Sequence, residues 1–581
     1  MTKRLPRSKR LAFSRLICAM QTLDISQLLL SFDEMGLRLK REDPLEDLSE
    51  FRFAFRETES AVESRATTLA HIQKAKEKYE SLPRNERNPV EAFPSELMLF
   101  FRTVFLLRGL CTSLNVRVKY LKTMSAWAKR AMIEEYHSIP ASIKDTNPLD
   151  SKIITKLGQI NFVGLQLHVL NYKSNQCLAN LSLGQLHPLD ARPVKTSTLF
   201  PVLSLAQGVS QIISRSMISS TQLRVKDIWK SFMDESLTVE KLLSGDLPML
   251  PISATRLPER FSLATIHKWK EYIEFIEISE KIPAEEKVSL PWELSILSFT
   301  WGWMVVGLLQ SLSEDKSEAC KYETFVIDLS RMMGIDLFVK SPSSEFPLAP
   351  PKKGCSKQEE ESLNKKRETQ RKEVQSRYVS LSVDVDKLLG GAVDLDKLWD
   401  IQSAREIPSG ENPAGFDVGA ILRALGPSFK GKEYFIDPRM MNHPHVKASC
   451  SPSCNLLTNA TSLAKLYAAV ANNGIWDSKQ VIPIDVSDFY VNSFLSETLI
   501  PALEPLGERL GIKIFEFKTA DDKILRGFGQ VAFGGSIVFT IPALGLSLCV
   551  LVSDLTLERE VSRIIVETVL EEFGLRLNTE I

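Results

Sequence analysis

The chain has 581 residues and carries 72 lysines and arginines against 72 aspartates and glutamates, a formal net charge of zero. Nucleic acids and anionic lipid surfaces attract proteins with a basic surplus, so this balance predicts no nucleic-acid partner. Hydrophobic residues form 44% of the chain and charged residues 25%, which excludes disorder as the global state. At roughly 150 residues per domain, the length allows about three or four domains.

Cysteine usage and the N-terminal sequence bear on the compartment. Eight cysteines are too sparse for a disulfide framework, so we expect a reducing, intracellular environment. The first ten residues, MTKRLPRSKR, hold five basic side chains, but the apolar run after them is interrupted by Arg15. This pattern does not fit a secretory signal peptide. An arginine-rich transit peptide is the alternative interpretation.

The N-terminal region, residues 11–136, has apolar residues at the three- and four-residue steps of helices. Asp24 is placed to cap a helix that ends at Gly36. The segment 63–82 is polar on most faces and predicts a surface helix. The segment 93–114, FPSELMLFFRTVFLLRGLCTSL, predicts an apolar helix that forms the buried centre of an all-helical region.

From about residue 145 the pattern changes to strands mixed with helices. Two early apolar runs, 160–172 and 177–186, have the length of strands and are separated by a turn. Helices follow, and four further strands come late, before a helix over about 557–574: these strands are 512–519, 524–533, 536–541 and 546–553. We therefore predict one antiparallel sheet closed by both ends of the domain.

The longest uncharged stretch, 27 positions from Gly527 to Ser553, exceeds the length of a membrane-spanning helix. It is interrupted by five glycines and by Pro542, and its apolar runs are rich in isoleucine, valine and phenylalanine. These features predict a β-hairpin and no transmembrane segment.

The segment around Ser204 and Gln207, RPVKTSTLFPVLSLAQG, resembles the nucleophile region of serine β-lactamase and penicillin-binding-protein-like hydrolases. In that family a serine begins a buried helix, and a lysine one turn later removes the proton from the hydroxyl. In this chain Gln207 occupies the position of the lysine. An amide cannot accept that proton at neutral pH.

Two more segments resemble motifs of the same family, each with a substitution. In SILSFTWGW, Ile296 stands in place of the tyrosine and Ser298 is retained. In GFGQVAFGGS, Gln530 replaces the lysine or histidine of a triplet on the sheet edge that faces the serine. The resemblance places the following residues around the old cleft as pocket candidates: Trp301, Trp303, Phe533, Gly534, Gly535 and Ser536.

The N-terminal segments TKRLP, AFPSEL and LLRGL look like the end of the aarF-domain, UbiB-like atypical kinases. In those proteins a segment like TKRLP directly follows the Asp-Phe-Gly that holds the metal ion, so the nucleotide-binding lysine and the catalytic-loop residues are missing here. Both halves in this order resemble a fusion known in plants and protists. The resemblance implies a plastid or mitochondrial location, although no targeting segment is evident.

Together these observations predict an α/β (α+β) protein with a β-lactamase-like antiparallel sheet flanked by helices, preceded by a partial kinase C-lobe. The predicted segments are a helical remnant at 1–140, the two parts of the β-lactamase-like domain at 145–340 and 378–581, and a proline-rich, charged linker or insertion at 341–377. The oligomeric state is left open.

Loss of the lysine and tyrosine bases predicts a catalytically degenerate module that binds a small apolar ligand or a protein or serves as a scaffold, with no cofactor. Two alternatives stay open. One is a serine ester or amide hydrolase that uses Ser204 and an unconventional base. The other is a fragment of an active kinase fused to the hydrolase-like domain.

A weak candidate for a zinc site lies in one loop, with four ligands within twelve residues: His443, His445, Cys450 and Cys454. Structural zinc sites favour two separated ligand pairs, so we interpret these residues as a surface loop and predict no metal. We expect His168 and His267 to be packed or surface histidines.

Overall fold

A computed structural model of the chain describes residues 6–39, 43–58, 60–81, 90–135, 147–158, 160–218, 224–228, 238–244, 262, 300–312, 321–339, 377–383, 432–449, 452–495, 512–556 and 558–578. The chain divides into two compact units. The first contains residues 1–137, 189–191 and 431–443, and the second contains the remainder. The predicted linker, 341–377, lies almost entirely outside the described residues.

The first unit is helical. Its helices are α1 (Arg7–Thr22), α2 (Ile25–Met35), α3 (Pro44–Ala54), α4 (Ala61–Ser81), α5 (Ser95–Ser113) and α6 (Tyr120–Glu135), and a short ribbon joins β1 (Arg38–Leu39) to β2 (Val90–Ala92). The predicted ends of α2 are confirmed. The side chain of Asp24 accepts a hydrogen bond from the Gln27 amide, and Gly36 ends the helix with φ +81°.

The surface position of α4 is confirmed, but the prediction that α5 forms the buried centre of the helical region is wrong. Only Leu97, Val104 and Arg108 are buried along α5. Leucine, methionine and phenylalanine side chains on its other faces are exposed. The sequence of α5 is apolar all round, so its periodicity could not show which face is covered.

A short segment from the C-terminal half of the chain belongs to the first unit. It forms two turns of 3-10 helix, Glu433–Ile436 and Pro438–Asn442. The buried guanidinium of Arg439 pairs with Asp437 at 2.6 Å and donates to the carbonyl oxygens of Thr22 (2.9 Å) and Leu23 (3.0 Å). It thereby binds carbonyl groups at the C-terminal end of α1, which the helix itself leaves without partners.

The second unit contains seven complete strands of an eight-stranded sheet, and the edge strand of that sheet, β5, begins in residues assigned to the first unit. The strand order of the sheet is β17-β12-β13-β14-β15-β3-β4-β5. Its strands are β3 (Gly164–Asn171), β4 (Gln176–His187), β5 (Asp190–Pro193), β12 (Lys513–Thr519), β13 (Ile524–Val531), β14 (Ile537–Ile541), β15 (Leu546–Val552) and β17 (Leu575–Leu577). The antiparallel pairing of β15 with β3 joins late strands to early ones. The predicted fold class, with one antiparallel sheet closed by both ends of the domain, is confirmed.

The hairpin predicted for 527–553 is also confirmed. Strands β14 and β15 pair antiparallel, and the turn between them contains Pro542 and ends at Gly545 with φ +67°. Both strands are buried on both faces, which explains the uncharged run. Within the described part of the chain, no helix has both the length and the apolar character needed to cross a membrane.

Helices pack around this sheet. They are α7 (Pro148–Leu157), α8 (Leu205–Met217), α9 (Val225–Ile228), α10 (Val239–Ser244), α11 (Thr300–Ser311), α12 (Lys321–Met333), α13 (Pro444–Lys447), α14 (Ala460–Ala471), α15 (Ile484–Asp488) and α16 (Glu560–Glu572). Two of them, α7 and α16, pack with β-strand side chains in one apolar core. Helix α14 contacts β3, β14 and β15, and α8 contacts β13.

Short strands complete the unit. They are β6 (Phe200–Pro201), β7 (Leu337–Phe338), β8 (Ser382–Val383), β9 (Leu457–Thr458), β10 (Ile475–Trp476), β11 (Lys479–Gln480) and β16 (Asp554–Leu555). Strand β6, which leads into α8, pairs with β9. This pairing fixes the backbone immediately before the predicted nucleophile.

Candidate active site

The chain enters α8 through a tight and strained turn. Leu203 has φ +47°, a left-handed conformation that is unfavourable for a leucine. The next three amides close i→i+3 turns: Leu205 N donates to Val202 O (3.1 Å), Ala206 N to Leu203 O (2.9 Å) and Gln207 N to Ser204 O (3.0 Å). The pairing of β6 with β9 holds this turn from its N-terminal side.

Ser204 lies at the end of this turn and is half-buried. Its backbone is already helical, with φ −59° and ψ −19°, and its hydroxyl makes no capping hydrogen bond to α8. Serines that begin helices usually accept a hydrogen bond from an amide of the first turn. Here those amides are bonded to backbone carbonyls, so the Ser204 hydroxyl remains available for another role.

The structure brings Gln530 against the first turn of α8. Its side-chain Nε2 donates to Ser204 O, and its Oε1 accepts from Gly208 N at 3.0 Å. Gln530, on β13, therefore contacts the backbone of the helix that follows Ser204. The expectation that Gln530 lies on the edge of the sheet is wrong, because β13 lies between β12 and β14.

Gly208 allows this close approach. A Cβ atom at position 208 would lie 2.4 Å from Gln530 Oε1 and 2.6 Å from the hydroxyl oxygen of Tyr467. Tyr467, on α14, is fully buried, and its hydroxyl has no hydrogen-bond partner among the described residues. Burial raises the pKa of Tyr467 well above its usual value, so this phenol stays neutral and is not a proton acceptor.

Gln207 is buried one turn after Ser204, on the same helix. Its position agrees with the lysine position of the resembled motif, but its amide is not basic. The second motif, at Ile296 and Ser298, lies outside the described residues. At two of the positions where the resemblance predicts a basic side chain, 207 and 530, the structure describes amides.

The two tryptophans of the pocket prediction lie on α11 and are buried. Trp301 donates its indole N–H to Leu242 O at 2.8 Å, which attaches α11 to α10. Between the tryptophans, a Cβ atom on Gly302 would lie 2.9 Å from Ser453 Oγ. These contacts place the tryptophans in the helical core, and their role as a pocket wall stays a prediction.

The remaining pocket candidates form the turn between β13 and β14. Phe533 is half-buried, and Gly534 and Gly535 have φ +86° and +109°. A Cβ atom on Gly534 would lie 2.4 Å from Leu555 Cδ2, so this backbone is packed against β16. Ser536 Oγ accepts from Val552 N at 3.0 Å and joins neighbouring segments. These observations explain the glycines through turn geometry and close packing.

The structure does not test the zinc candidate as a whole. Cys450 lies outside the described residues, and no cluster of three or more histidine, cysteine or acidic side chains able to hold a metal ion occurs among the described ones. His168 is buried in β3, where burial lowers its pKa to about 4 and a hydrogen bond of 3.3 Å joins its ring to Thr461 Oγ1. It is a packed, neutral histidine, as predicted. His267 lies outside the described residues.

Sequence reasoning missed a buried amine in this unit. Lys447, on α13, is buried, and its Nζ lies 5.1 Å from the centre of the Tyr378 ring. Burial lowers the pKa of Lys447 to about 8. The sequence around Lys447, HPHVKASC, is polar, and its composition gives no sign that the lysine is buried. A lysine in such surroundings is costly to charge.

No protein-family model and no curated protein matches the chain. Among solved structures, it is similar to a novel penicillin-binding protein homolog from Caulobacter crescentus, with 14% identity, a TM-score of 0.44, and coverage of 72% of this chain and 96% of that one. It is also similar to a family VIII carboxylesterase, with 13% identity, a TM-score of 0.41, and coverage of 74% of this chain and 99% of that one. A third similar structure is the D-amino acid amidase from Ochrobactrum anthropi SV3 in complex with L-phenylalanine amide, with 11% identity, a TM-score of 0.40, and coverage of 73% of this chain and 98% of that one.

Proposed function

We propose that the second unit is a β-lactamase-like domain that hydrolyses an ester or amide, with Ser204 as the nucleophile. The observation that carries this proposal is the pairing of strain at Leu203 with a Ser204 hydroxyl that caps no helix. A non-glycine residue in such a conformation costs on the order of 1–3 kcal/mol, and strain of this kind clusters at active sites. A serine that only started a helix would need neither feature.

The surroundings of Ser204 suit attack on a carbonyl group. The N-terminal end of α8 carries a partial positive charge, which stabilises negative charge that develops on the attacked oxygen. Gln530 bonds to the backbone at both Ser204 and Gly208 and so holds the first turn of α8 in place. A nucleophile fixed in this way loses little entropy when it reacts.

Transfer of the hydroxyl proton requires an unconventional base. Gln207 and Gln530 are amides, which do not accept a proton at neutral pH. This substitution supports the second candidate function, a catalytically inactive module that binds a small apolar ligand or a protein at the same place. The comparisons with known proteins give no support to the kinase-fragment alternative. The kinase resemblance of residues 1–135 stays a prediction.

The test compares the purified chain with its Ser204→Ala variant. The assay follows turnover of p-nitrophenyl esters and of a chromogenic β-lactam, and labelling by a fluorophosphonate probe located by peptide mass spectrometry. Ser216→Ala is the matched control, because Ser216 lies on the same helix and its hydroxyl is bonded to Ile212 O at 2.7 Å.

We expect Ser204→Ala to lower turnover at least ~100-fold and to abolish labelling, and Ser216→Ala to leave both unchanged. Equal, background-level turnover in the parent chain and in Ser204→Ala, with no label on Ser204, would reject the hydrolase and leave the binding module.

A further inference from the structure

Helix α5 presents a broad apolar surface to solvent. Seven large apolar side chains on the helix or at its C-terminal cap are between 48% and 66% exposed: Met98, Leu99, Phe105, Leu106, Leu107, Leu110 and Leu114. A helix that is apolar all round is ordinarily covered on all sides. Exposed patches of this kind mark sites of association.

The exposed side chains are centred on Leu106. At 100° per residue, Leu99 and Leu110 lie within about 40° of Leu106 around the helix axis. The buried residues Leu97 and Val104 lie on the opposite side, within about 20° of the point facing away from Leu106. Leu106 is also the most exposed of the seven, at 66%.

The size of this surface is close to what a stable interface needs. If each of the seven side chains contributes roughly 100 Å² of accessible area, α5 offers on the order of 700 Å². A standard protein interface buries about 800 Å² on each partner. Small residues near the centre, Thr103, Gly109 and Ser113, allow a second helix to approach closely.

The charges around α5 favour an antiparallel copy of the same helix. Arg102 is the one charged residue of the exposed face. Glu96 lies in the first turn of α5, and Arg117, which forms an exposed ion pair of 3.8 Å with Glu63 in the same chain, follows its C-terminal end. An antiparallel pair centred on Leu106 places Glu96 beside Arg117 of the second copy, and it keeps the two Arg102 side chains about 12 Å apart along the axis. A parallel pair would place equal charges opposite each other.

We propose that α5 is a self-association surface, on which two copies of this chain pair antiparallel about a two-fold axis at Leu106. The contact is isologous, because the same residues contribute from both copies and the assembly closes as a dimer. Leu99 then faces Ser113 of the second copy. This proposal concerns the first unit and is independent of the hydrolase proposal.

The first experiment measures the mass of the full chain at 1–100 μM by light scattering and sedimentation velocity. Dissociation constants in this range correspond to association free energies of about 8 to 5 kcal/mol in favour of the dimer. We expect a mass near twice 65.4 kDa for the parent chain. Leu106→Glu is expected to weaken association at least ~10-fold. At concentrations low enough for both proteins to be monomeric, it should leave the melting temperature unchanged, because Leu106 is mostly exposed within one copy. Val62→Glu, which changes an apolar side chain on α4 that is 81% exposed, should remain dimeric.

The second experiment tests the two-fold axis by oxidation of single-cysteine additions. Leu106→Cys should form a disulfide-linked dimer, because its Cβ atoms meet across the axis. Leu99→Cys, on the same exposed face, should not form such a dimer, since the two copies of position 99 would lie about 20 Å apart along the helix axis. A monomeric parent chain, equal cross-linking of both variants, or a monomer that sediments with anionic phospholipid vesicles would each overturn the proposal.

Discussion

The buried amine of Lys447 lowers the free energy of unfolding by an amount that depends on pH. No carboxylate lies within ion-pair distance of its amine among the described residues, and burial lowers its pKa from 10.5 to about 8. Between these two pH values the unfolded chain binds a proton that the folded chain does not. The free energy of unfolding therefore rises with pH across this window, and below about pH 8 the full cost of the buried charge remains.

We predict that Lys447→Met raises the free energy of unfolding at pH 7 by up to about 3 kcal/mol, because the variant buries no charge. The gain should shrink as the pH rises from 8 to 10.5. Urea unfolding at pH 7 and pH 10 measures both values. Lys465→Met is the control, since Lys465 also lies over an aromatic ring, 5.7 Å from Trp476, but is half-buried. An equal gain in both variants, or a gain that grows with pH, would contradict this explanation.

At the scale of elements, the packing of α8 against β13 depends on Gly208. A methyl group there meets Gln530 Oε1 and the Tyr467 hydroxyl, both closer than real Cβ contacts allow. We predict that Gly208→Ala lowers the free energy of unfolding by about 1–3 kcal/mol, because Gln530 must release the first turn of α8. Chemical denaturation of the full chain measures the change.

A double-mutant cycle with Tyr467→Phe is the control. Tyr467→Phe alone removes a buried hydroxyl that bonds to none of the residues the structure describes, so it should be neutral or stabilising. In the presence of Tyr467→Phe, Gly208→Ala should cost less, since one of the two close contacts is gone. Strictly additive effects would show that Gly208 does not contact this cluster in solution.

The sequence contained enough information for six strands of the large sheet and for both ends of α2. Capping by Asp24 and termination at Gly36 are local effects, and the alternating or fully apolar strands reflect burial on one or both faces. The exposure of α5 was not predictable, because an apolar helix does not reveal which of its faces finds a partner. The strain at Leu203 carries no sequence signal either, since leucine is not a residue that marks a left-handed turn.

The predicted site was recoverable only in part. Ser204 and Gln530 were paired through the resemblance of two motifs, and the structure places Gln530 on the first turn of α8. The strand position of Gln530 was wrong because sheet order depends on long-range pairing, which a short motif does not encode. Tyr467 was missed because an apolar helix that contains one tyrosine is typical of a core.

At the scale of the whole molecule, the helical first unit depends on residues more than 400 positions away in sequence. Arg439 binds Asp437 and the carbonyl oxygens of Thr22 and Leu23, beside the buried carboxylate of Asp24. Burial lowers the pKa of Arg439, but the carboxylates of Asp437 and Asp24 raise it further, to above its usual value. The side chain is therefore charged. The junction between α1 and α2 is therefore completed by a segment translated much later.

We predict that Arg439→Met lowers the stability of the first unit by about 3–5 kcal/mol, because it leaves buried carboxylates and carbonyl oxygens unpaired. Hydrogen exchange followed by mass spectrometry on the full chain should show faster exchange in α1 and α2, although the substitution lies in the C-terminal half. Arg331→Met, which removes an exposed pair with Asp328, is the control and should change stability by less than about 0.5 kcal/mol. Unchanged protection of α1 and α2 in Arg439→Met would mean that these helices hold together without the late segment, and that the first unit is complete within its own stretch of sequence.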